Sequence, residues 1–369
     1  MTGTAVSTLR PTDLASARDA MLAVPGRVAI TGAGTADWAG RLEPVDAVLD
    51  TTALSGVLTH NPGDMTASVL AGTPLRELAE ELAPHGQRVA LDAARVARGA
   101  TVGGLIATAD SGPSALAYGS LRDLVIGATV VLADGTVAHS GGHVIKNVAG
   151  YDLTKLLQGS HGTLALMVEI VLRLHPIPER VATVAVKCAL ADASTHVQRL
   201  LMSPLEPVAL EWADGRLLAR LEGTAEAIDA RAARLVELLG GTRMDDEVWQ
   251  RHAELVGGRP DGAPTKGARL RIGCLPSRLP GLLAELPATA VTAGFGTGIA
   301  TVTMPSDAVD AAHKIVYAAG GTSVLRDRPR DCDAPAWGPA PSALPVLRAV
   351  KSTLDPDGRL GPGRFAPWM

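Results

Sequence analysis

A chain of 369 residues, 47% hydrophobic and 20% charged, has the balance of a folded globular protein and is long enough for two domains of ordinary size. Its formal net charge of −4 argues against a nucleic-acid partner, and no apolar run reaches the ~18 residues that a membrane-spanning helix needs. Three cysteines (Cys188, Cys274 and Cys332) lie far apart with no Cys-x-x-Cys pair, so they cannot hold an iron–sulfur cluster and read as reduced thiols of a cytosolic protein.

The N-terminus, Met1-Thr-Gly-Thr-Ala-Val6, lacks the basic start and apolar core of a secretory signal. Residues 12–24 predict a helix, with Leu14, Ala17, Met21 and Leu22 at helical spacing and Pro25-Gly26 ending it. Residues 28–30 read as a strand entering a glycine turn, and 46–50 and 65–71 as two more strands. A helix over 74–82 follows, with Thr73 as its cap and Glu77 in its first turn. The stretch 100–119 is dominated by Gly, Ala, Ser and Thr, which let a backbone approach another backbone or a ligand closely. Residues 125–132 and 136–138 form a hairpin about Ala133-Asp134-Gly135, and 164–174 is a long strand broken by His175-Pro-Ile-Pro178. The domain boundary falls there. Beyond it, strands at 181–188, 217–221, 269–274 and 299–304 alternate with helices at 192–202, 225–239 and 306–319. Such units predict an α+β, ferredoxin-like sheet. A proline-rich loop at 331–345 and a last helix, 343–354, lead into the tail.

Two features do not reduce to packing. Thr31, Gly32, Ala33, Gly34, Thr35 and Ala36 follow a strand, and their backbone N–H groups can converge as a nest for a phosphate, although ordinary Gly-x-Gly turns share this pattern. It is not a Rossmann fingerprint, for no third glycine follows at the required spacing, nor a P-loop, for no Gly-Lys-Ser/Thr follows. The second feature is the run Lys146-Asn-Val-Ala-Gly-Tyr-Asp152, whose polar residues crowd the entrance to an apolar segment and need partners. With Thr101-Val-Gly-Gly104 between them, these features fit a long cofactor with a diphosphate in its middle. The nine histidines are scattered and none is followed directly by Glu, so no metal is expected.

The order Gly32-Ala-Gly-Thr35, Pro62-Gly-Asp64, Ala71-Gly-Thr-Pro-Leu-Arg-Glu-Leu78, His85-Gly-Gln87 and Ala100-Thr-Val-Gly-Gly104 resembles the FAD-binding domain of the vanillyl-alcohol oxidase/p-cresol methylhydroxylase (PCMH) superfamily. Tyr118-Gly-Ser-Leu-Arg-Asp123, Val144-Ile-Lys-Asn-Val-Ala-Gly-Tyr-Asp152 and Gly159-Ser-His-Gly-Thr163 narrow the resemblance to the small FAD-binding subunits of bacterial glycolate oxidases. The resemblance implies a two-subdomain PCMH-type FAD-binding domain over 1–178 and a smaller α+β cap or interaction domain, with C-terminal helix and tail, over 179–369. It implies FAD, with 31–36 cradling the diphosphate. Gly103, Gly104, Ala107, Ser111, Gly112, Tyr118 and Gly119 would line the diphosphate and flavin. Asn147, Gly150, Tyr151 and Asp152 would lie near the cofactor, and Gly162 and Glu169 would close the pocket. Relatives that tether flavin covalently often carry a histidine just after the first glycines. Here Thr35-Ala36-Asp37 stands there, so the FAD is expected to be non-covalent.

Oxidising a 2-hydroxy acid needs a cation for the carboxylate and a base for the hydroxyl proton. The His-x-Gly-Asp-Gly-Asn-x-His motif of the family's catalytic subunits is absent, and Arg269, Arg271 and Arg326 read as solvated or salt-bridged. Gly361 also stands where the family usually carries Asn before Pro-Gly. The resemblance therefore implies a subunit that oxidises glycolate to glyoxylate only with a catalytic flavoprotein subunit and an iron–sulfur subunit. Such a subunit would be cytoplasmic, reaching the inner face of the membrane only peripherally, through its complex. The alternatives are a stand-alone FAD-dependent 2-hydroxy-acid dehydrogenase and a non-catalytic assembly protein on a flavoprotein fold.

Overall fold

Asp13 starts the first helix: its carboxylate accepts from Ser16 N at 2.8 Å while Ser16 Oγ accepts from Asp13 N at 3.1 Å. The computed structural model describes residues 6–36, 40–144, 151–258, 266–329 and 332–369. That helix, Leu14–Ala23, carries the chain from β1 (Ser7–Leu9) to β2 (Val28–Thr31), and both strands pair in parallel with β3 (Ala47–Asp50). Downstream come β4 (Val57–Asn61), β5 (Thr66–Leu70), β6 (Gln87–Arg88), β7 (Val125–Val131), β8 (Val137–Gly141), β9 (Leu166–Arg173) and β10 (His175–Pro176). Five of these form an antiparallel sheet in the order β4-β5-β9-β7-β8, and β6 pairs with β10. Helices Leu75–Leu82 and Val102–Ala107 cover this sheet by burying Leu75, Leu78, Leu82, Leu105 and Ile106 against Val69, Ile170 and Leu172. Each such side chain, fully buried, contributes roughly 1.5–3 kcal/mol. Thr73 does not cap the helix at 75: its Oγ1 donates to Leu70 O at 2.7 Å and accepts from Gly56 N, because the turn before the helix needs the hydroxyl more.

The third sheet begins at Arg180 and comprises β11 (Arg180–Lys187), β12 (Ala209–Ala213), β13 (Arg216–Gly223), β14 (Thr242–Met244), β15 (Ala268–Gly273), β16 (Ala290–Gly294), β17 (Ile299–Met304) and β18 (Thr322–Asp327). Its order, β14-β11-β13-β12-β16-β17-β15-β18, is two ferredoxin-like βαββαβ units joined where β12 pairs with β16. Strand alternation sorts the side chains. Val184, Leu217, Leu221, Leu270, Ile272, Val302 and Leu325 point into a core completed by helices Leu190–Leu201, Ala225–Leu239, Leu279–Ala284 and Val309–Ala318. The opposite face presents Arg220, Glu211, Thr292, Thr301 and Arg271, with Arg271 facing Thr301 and Thr301 facing Thr292 in register. It turns toward the first unit. Eight strands (β1, β4, β6, β10, β12, β14, β16 and β18) and several helices, Val102–Ala107, Glu247–Gly257 and Leu279–Ala284 among them, escape the sequence reading, since their short runs mix small and polar residues without a clear period.

The C-terminal segment, grouped by sequence with the second domain, makes its contacts with the first unit. Helix Leu344–Leu354 leads to buried Asp355, which accepts from Arg359 N at 2.9 Å and Leu360 N at 2.8 Å. Leu360 then bridges to Val28, and the Arg359 guanidinium donates to the carbonyls of Met21, Val24, Gly26 and Ala133. Among the described residues, no helix is long and apolar enough to cross a membrane.

Candidate functional site

The end of β2 opens into a cleft of about 640 Å³. Its floor is backbone and small side chains: Thr31, Gly32, Ala33, Gly34, Thr35 and Ala36 from the first turn, Gly103, Gly104 and Ala107 from the short helix, and Gly162 from the loop before β9. Thr51 Oγ1 donates to Thr31 O at 3.0 Å, and Thr101 Oγ1 accepts from Gly104 N at 3.1 Å. Two glycines show what the cleft requires. Gly34 has φ +68 and open space where a Cβ would stand, and a Cβ at Gly103 would come within 2.9 Å of Ala71 O. Ten sequence-predicted site residues thus meet on one surface.

Three arginines that sequence reasoning missed, Arg41, Arg328 and Arg364, line the same cleft. Arg41 pairs with Asp333, Arg328 donates to Ala334 O at 3.1 Å, and Arg364 donates to Gly40 O at 3.3 Å. A glycine turn flanked by guanidiniums fits a diphosphate group. His161 also lines it, its imidazole edge against Trp337 and Phe365. Burial, helped by nearby Arg326 and Arg364, lowers its pKa to about 3, so the ring is neutral.

The remaining predicted residues lie elsewhere. Ser111 and Gly112 line a second cavity, of about 470 Å³, between the two units. Tyr118 donates to Glu222 at 2.9 Å across that interface, and Gly119 precedes the Ser120 cap of the helix at 121. Glu169 sits outside the cleft, within the sheet, where its carboxylate accepts from Ser68 and Thr129. Tyr151 is 92% exposed, and Asp152 accepts from Thr154 and pairs with Lys155 at 3.1 Å. Asn147 and Gly150, with most of the expected polar entrance, fall outside the described residues.

The second cavity is lined by charge. Asp110, buried, lies 3.6 Å from Arg95 and 3.5 Å from Arg326. These neighbours hold its carboxyl below the usual range against the opposing pull of burial, while burial pushes Arg326 down to about 9. The arginines read from sequence as solvated or salt-bridged are inside: Arg326 is 3% exposed, and Arg269 pairs with Asp327 at 3.5 Å. Arg88 pairs with Glu222, and Arg220 with Asp92. Glu211 also lines this cavity and accepts from His252 Nε2 at 3.2 Å. Burial raises the Glu211 pKa. The two cavities share a wall, for Ala107 and Thr108 line the cleft while Asp110 and Ser111 line the cavity. Among the described residues, no group of three or more His, Cys, Asp or Glu could hold a metal ion.

Comparison with known proteins gives a consistent answer. The FAD binding domain family matches residues 10–141. Glycolate oxidase subunit GlcE of Escherichia coli is 31% identical over 341 residues, 91% of either chain. Glycolate oxidase subunit GlcD of Bacillus subtilis is 38% identical over 141 residues, 37% of this chain and 30% of that one. D-lactate dehydrogenase of Archaeoglobus fulgidus is 34% identical over 190 residues, 51% of this chain and 42% of that one. The chain thus spans less than half the length of either of the latter two. Of solved structures, alkyldihydroxyacetonephosphate synthase superimposes with a TM-score of 0.71 over 96% of this chain and 76% of its own, at 16% identity, which shows a shared fold.

Proposed function

The chain belongs to the family of the glycolate oxidase subunit GlcE, and from that premise we propose that it is the FAD-binding subunit of a 2-hydroxy-acid oxidase complex. It would oxidise glycolate to glyoxylate together with a catalytic flavoprotein subunit and an iron–sulfur subunit. It is an FAD-linked oxidoreductase subunit by family, and bound FAD supplies a two-electron acceptor.

The observation that carries this reading is the convergence of 31–36, Gly103, Gly104 and Gly162 on a single cleft together with Arg41, Arg328 and Arg364. In this reading the turn N–H groups and the three guanidiniums hold the diphosphate, and the run Gly103 to Gly112 extends from it toward the flavin. Neutral His161 adds no charge there. Since Thr35 and Ala36 offer no side chain for a covalent tether, the FAD is held by these contacts alone.

The visible absorption spectrum of the purified chain tests the reading. A two-banded flavin spectrum near one FAD per chain, lost when denaturant releases the flavin, is expected. A colourless, well-folded protein that takes up no added FAD overturns it. Glycolate oxidation that appears only when the two partner chains are added supports the complex, whereas full turnover by the chain alone makes it a stand-alone dehydrogenase.

A further inference from the structure

We propose that residues 364–369 form a flap on the cofactor cleft, turning on Gly361-Pro-Gly363 and lifting to pass a dinucleotide while the two units stay docked. The inference rests on the reading above in taking the cleft as the dinucleotide site, and it adds how that site is entered.

A dinucleotide can enter from either of two sides, and they are held very differently. One is the docking of the units. Next to the floor residues Gly103, Gly104 and Ala107, Arg326 donates to Thr108 O at 3.0 Å, and Arg271 donates to Ala109 O and Ser111 Oγ, both at 2.9 Å. Asp110 lies between Arg95 and Arg326, Arg95 also pairs with Asp327 at 2.9 Å, and Tyr118 donates to Glu222. Parting the units pulls buried charges from their partners, which is strongly unfavourable. That side stays shut.

The other side is the flap. Up to Pro362 the chain is anchored: Val28 N donates to Arg359 O at 2.8 Å, Gly361 N to Val28 O at 2.9 Å, and Glu43 N to Pro362 O at 3.0 Å. Gly361 and Gly363, on either side of Pro362, have φ +57 and +79. Glycine enters and leaves that conformation without a side-chain penalty, so the pair can absorb the turn of a hinge. Past the hinge, Trp337 Nε1 donates to Arg364 O at 2.8 Å, Trp368 Nε1 to Gly338 O at 3.1 Å, and Arg348 Nε to Trp368 O at 2.9 Å. Such bonds are exchanged for bonds to water when the flap lifts, so their net weight is small. The Arg41–Asp333 pair, which ties the cleft wall to the loop after Cys332, is exposed at both ends and adds little.

What closes the flap is aromatic. Phe365 stacks on Trp337 at 4.8 Å, Trp368 lies 5.4 Å from Trp337, and the edge of His161 meets Trp337 and Phe365 at 5.2 and 5.5 Å. His161 and Arg364 line the cleft, so the flap forms part of its wall. The chain has five Trp and two Phe, and two of the former and one of the latter meet at this one contact.

The test follows FAD uptake and release by the full chain through the change in flavin fluorescence. Lifting of the flap precedes both steps. Phe365→Ala and Trp368→Ala should therefore each speed uptake and release together, by about tenfold, and shift Kd less than about threefold. Arg364→Met, which removes a contact and leaves the stack, should speed release alone. Glu222→Gln, which loosens the docking of the units, should change neither rate. Aromatic variants that leave uptake unchanged, or rates that respond to Glu222→Gln instead, overturn the proposal. Indole N–H exchange in the wild-type chain without flavin tests the flap by itself, with no variant that must fold. Lifting frees the Trp337 and Trp368 protons together, so buried Trp337 should exchange with Trp368 and faster than half-buried Trp212 and Trp249, whose indoles are bonded within the second unit. A Trp337 proton that is the slowest of the four overturns the flap. A colourless chain whose Trp337 proton is fast loses the cofactor reading and keeps the flap, and a yellow chain whose Trp337 proton is slowest does the reverse.

Discussion

The cleft and the interdomain cavity lie side by side, yet they are built from opposite materials. The cleft is backbone: a turn after β2, the first turn of a short helix and a glycine before β9, with three guanidiniums at its edge. The cavity is side chain: arginines, carboxylates, threonines and one histidine drawn from both units. A backbone site tolerates little change in shape but is indifferent to most changes of charge. A site made of buried ions behaves the other way. Removing one charge there strands its partners, whereas a modest change of volume can be absorbed.

The sharpest way to break this comparison is Asp110→Ala. It leaves Arg95, Arg271 and Arg326 clustered without the carboxylate that all three face, and a loss of about 3–5 kcal/mol in denaturant unfolding is expected. A loss below ~1 kcal/mol, the scale of an exposed pair, would mean that the cluster is hydrated and not a buried ion network. Next is Gly103→Val. Its Cβ meets Ala71 O at 2.9 Å, so the helix start must shift, costing about 1–3 kcal/mol and emptying the cleft of flavin; undiminished flavin content would contradict the placement of the cofactor. Removal of one cation from the same cleft, Arg364→Met, should leave the fold intact and weaken FAD binding roughly tenfold.

His161 sharpens the comparison through pH. Its folded pKa, about 3, lies below the ordinary value of 6.5, so between those values the unfolded chain holds a proton that the folded chain refuses. Its contribution is therefore complete above pH 6.5 and is lost as pH falls toward 3, by up to about 1.4 kcal/mol per pH unit. Unfolding curves of wild type and His161→Gln between pH 6.5 and 4 should diverge in slope; parallel curves would mean that the ring is solvated. The smallest effect belongs to Tyr151→Ala. With the ring 92% exposed, neither melting temperature nor flavin content should change, and lost flavin would bring this residue back to the cofactor.

These regions also differ in how well they can be read from sequence. The run 31–36 is legible because a turn's conformation is local, and Gly103 and Gly104 are legible for the same reason. Arg41, Arg328 and Arg364 are not, since a lone arginine in a loop carries no period. In the second unit the alternation Arg269-Leu-Arg-Ile272 identifies a strand with one apolar face, but not what its polar face meets. Arg326 meets Asp110, and Arg271 meets Ser111 and Ala109, only through the docking of two separate sheets. His252 and Glu211 are joined by helix-on-sheet packing, so no short motif could pair them. Glu169 shows the converse. It lies in a recognisable stretch, yet its carboxylate is spent on Ser68 and Thr129 in neighbouring strands.

The return of the tail to β2 has a consequence for how the molecule is made. Leu360 lies beside Val28, and Arg359 ties down carbonyls at Met21, Val24, Gly26 and Ala133, so the N-terminal unit is completed by residues that leave the ribosome only after the whole sheet of residues 180–327. The sheet of residues 180–327 needs nothing from the tail for its own core and can fold while translation continues. The N-terminal unit must wait, its parallel edge strand open to the wrong neighbours, until position 360 has emerged. A ribosome that stalls before position 359 would release a chain in which the sheet of residues 180–327 is formed and the unit before it, with the glycine turn, is not.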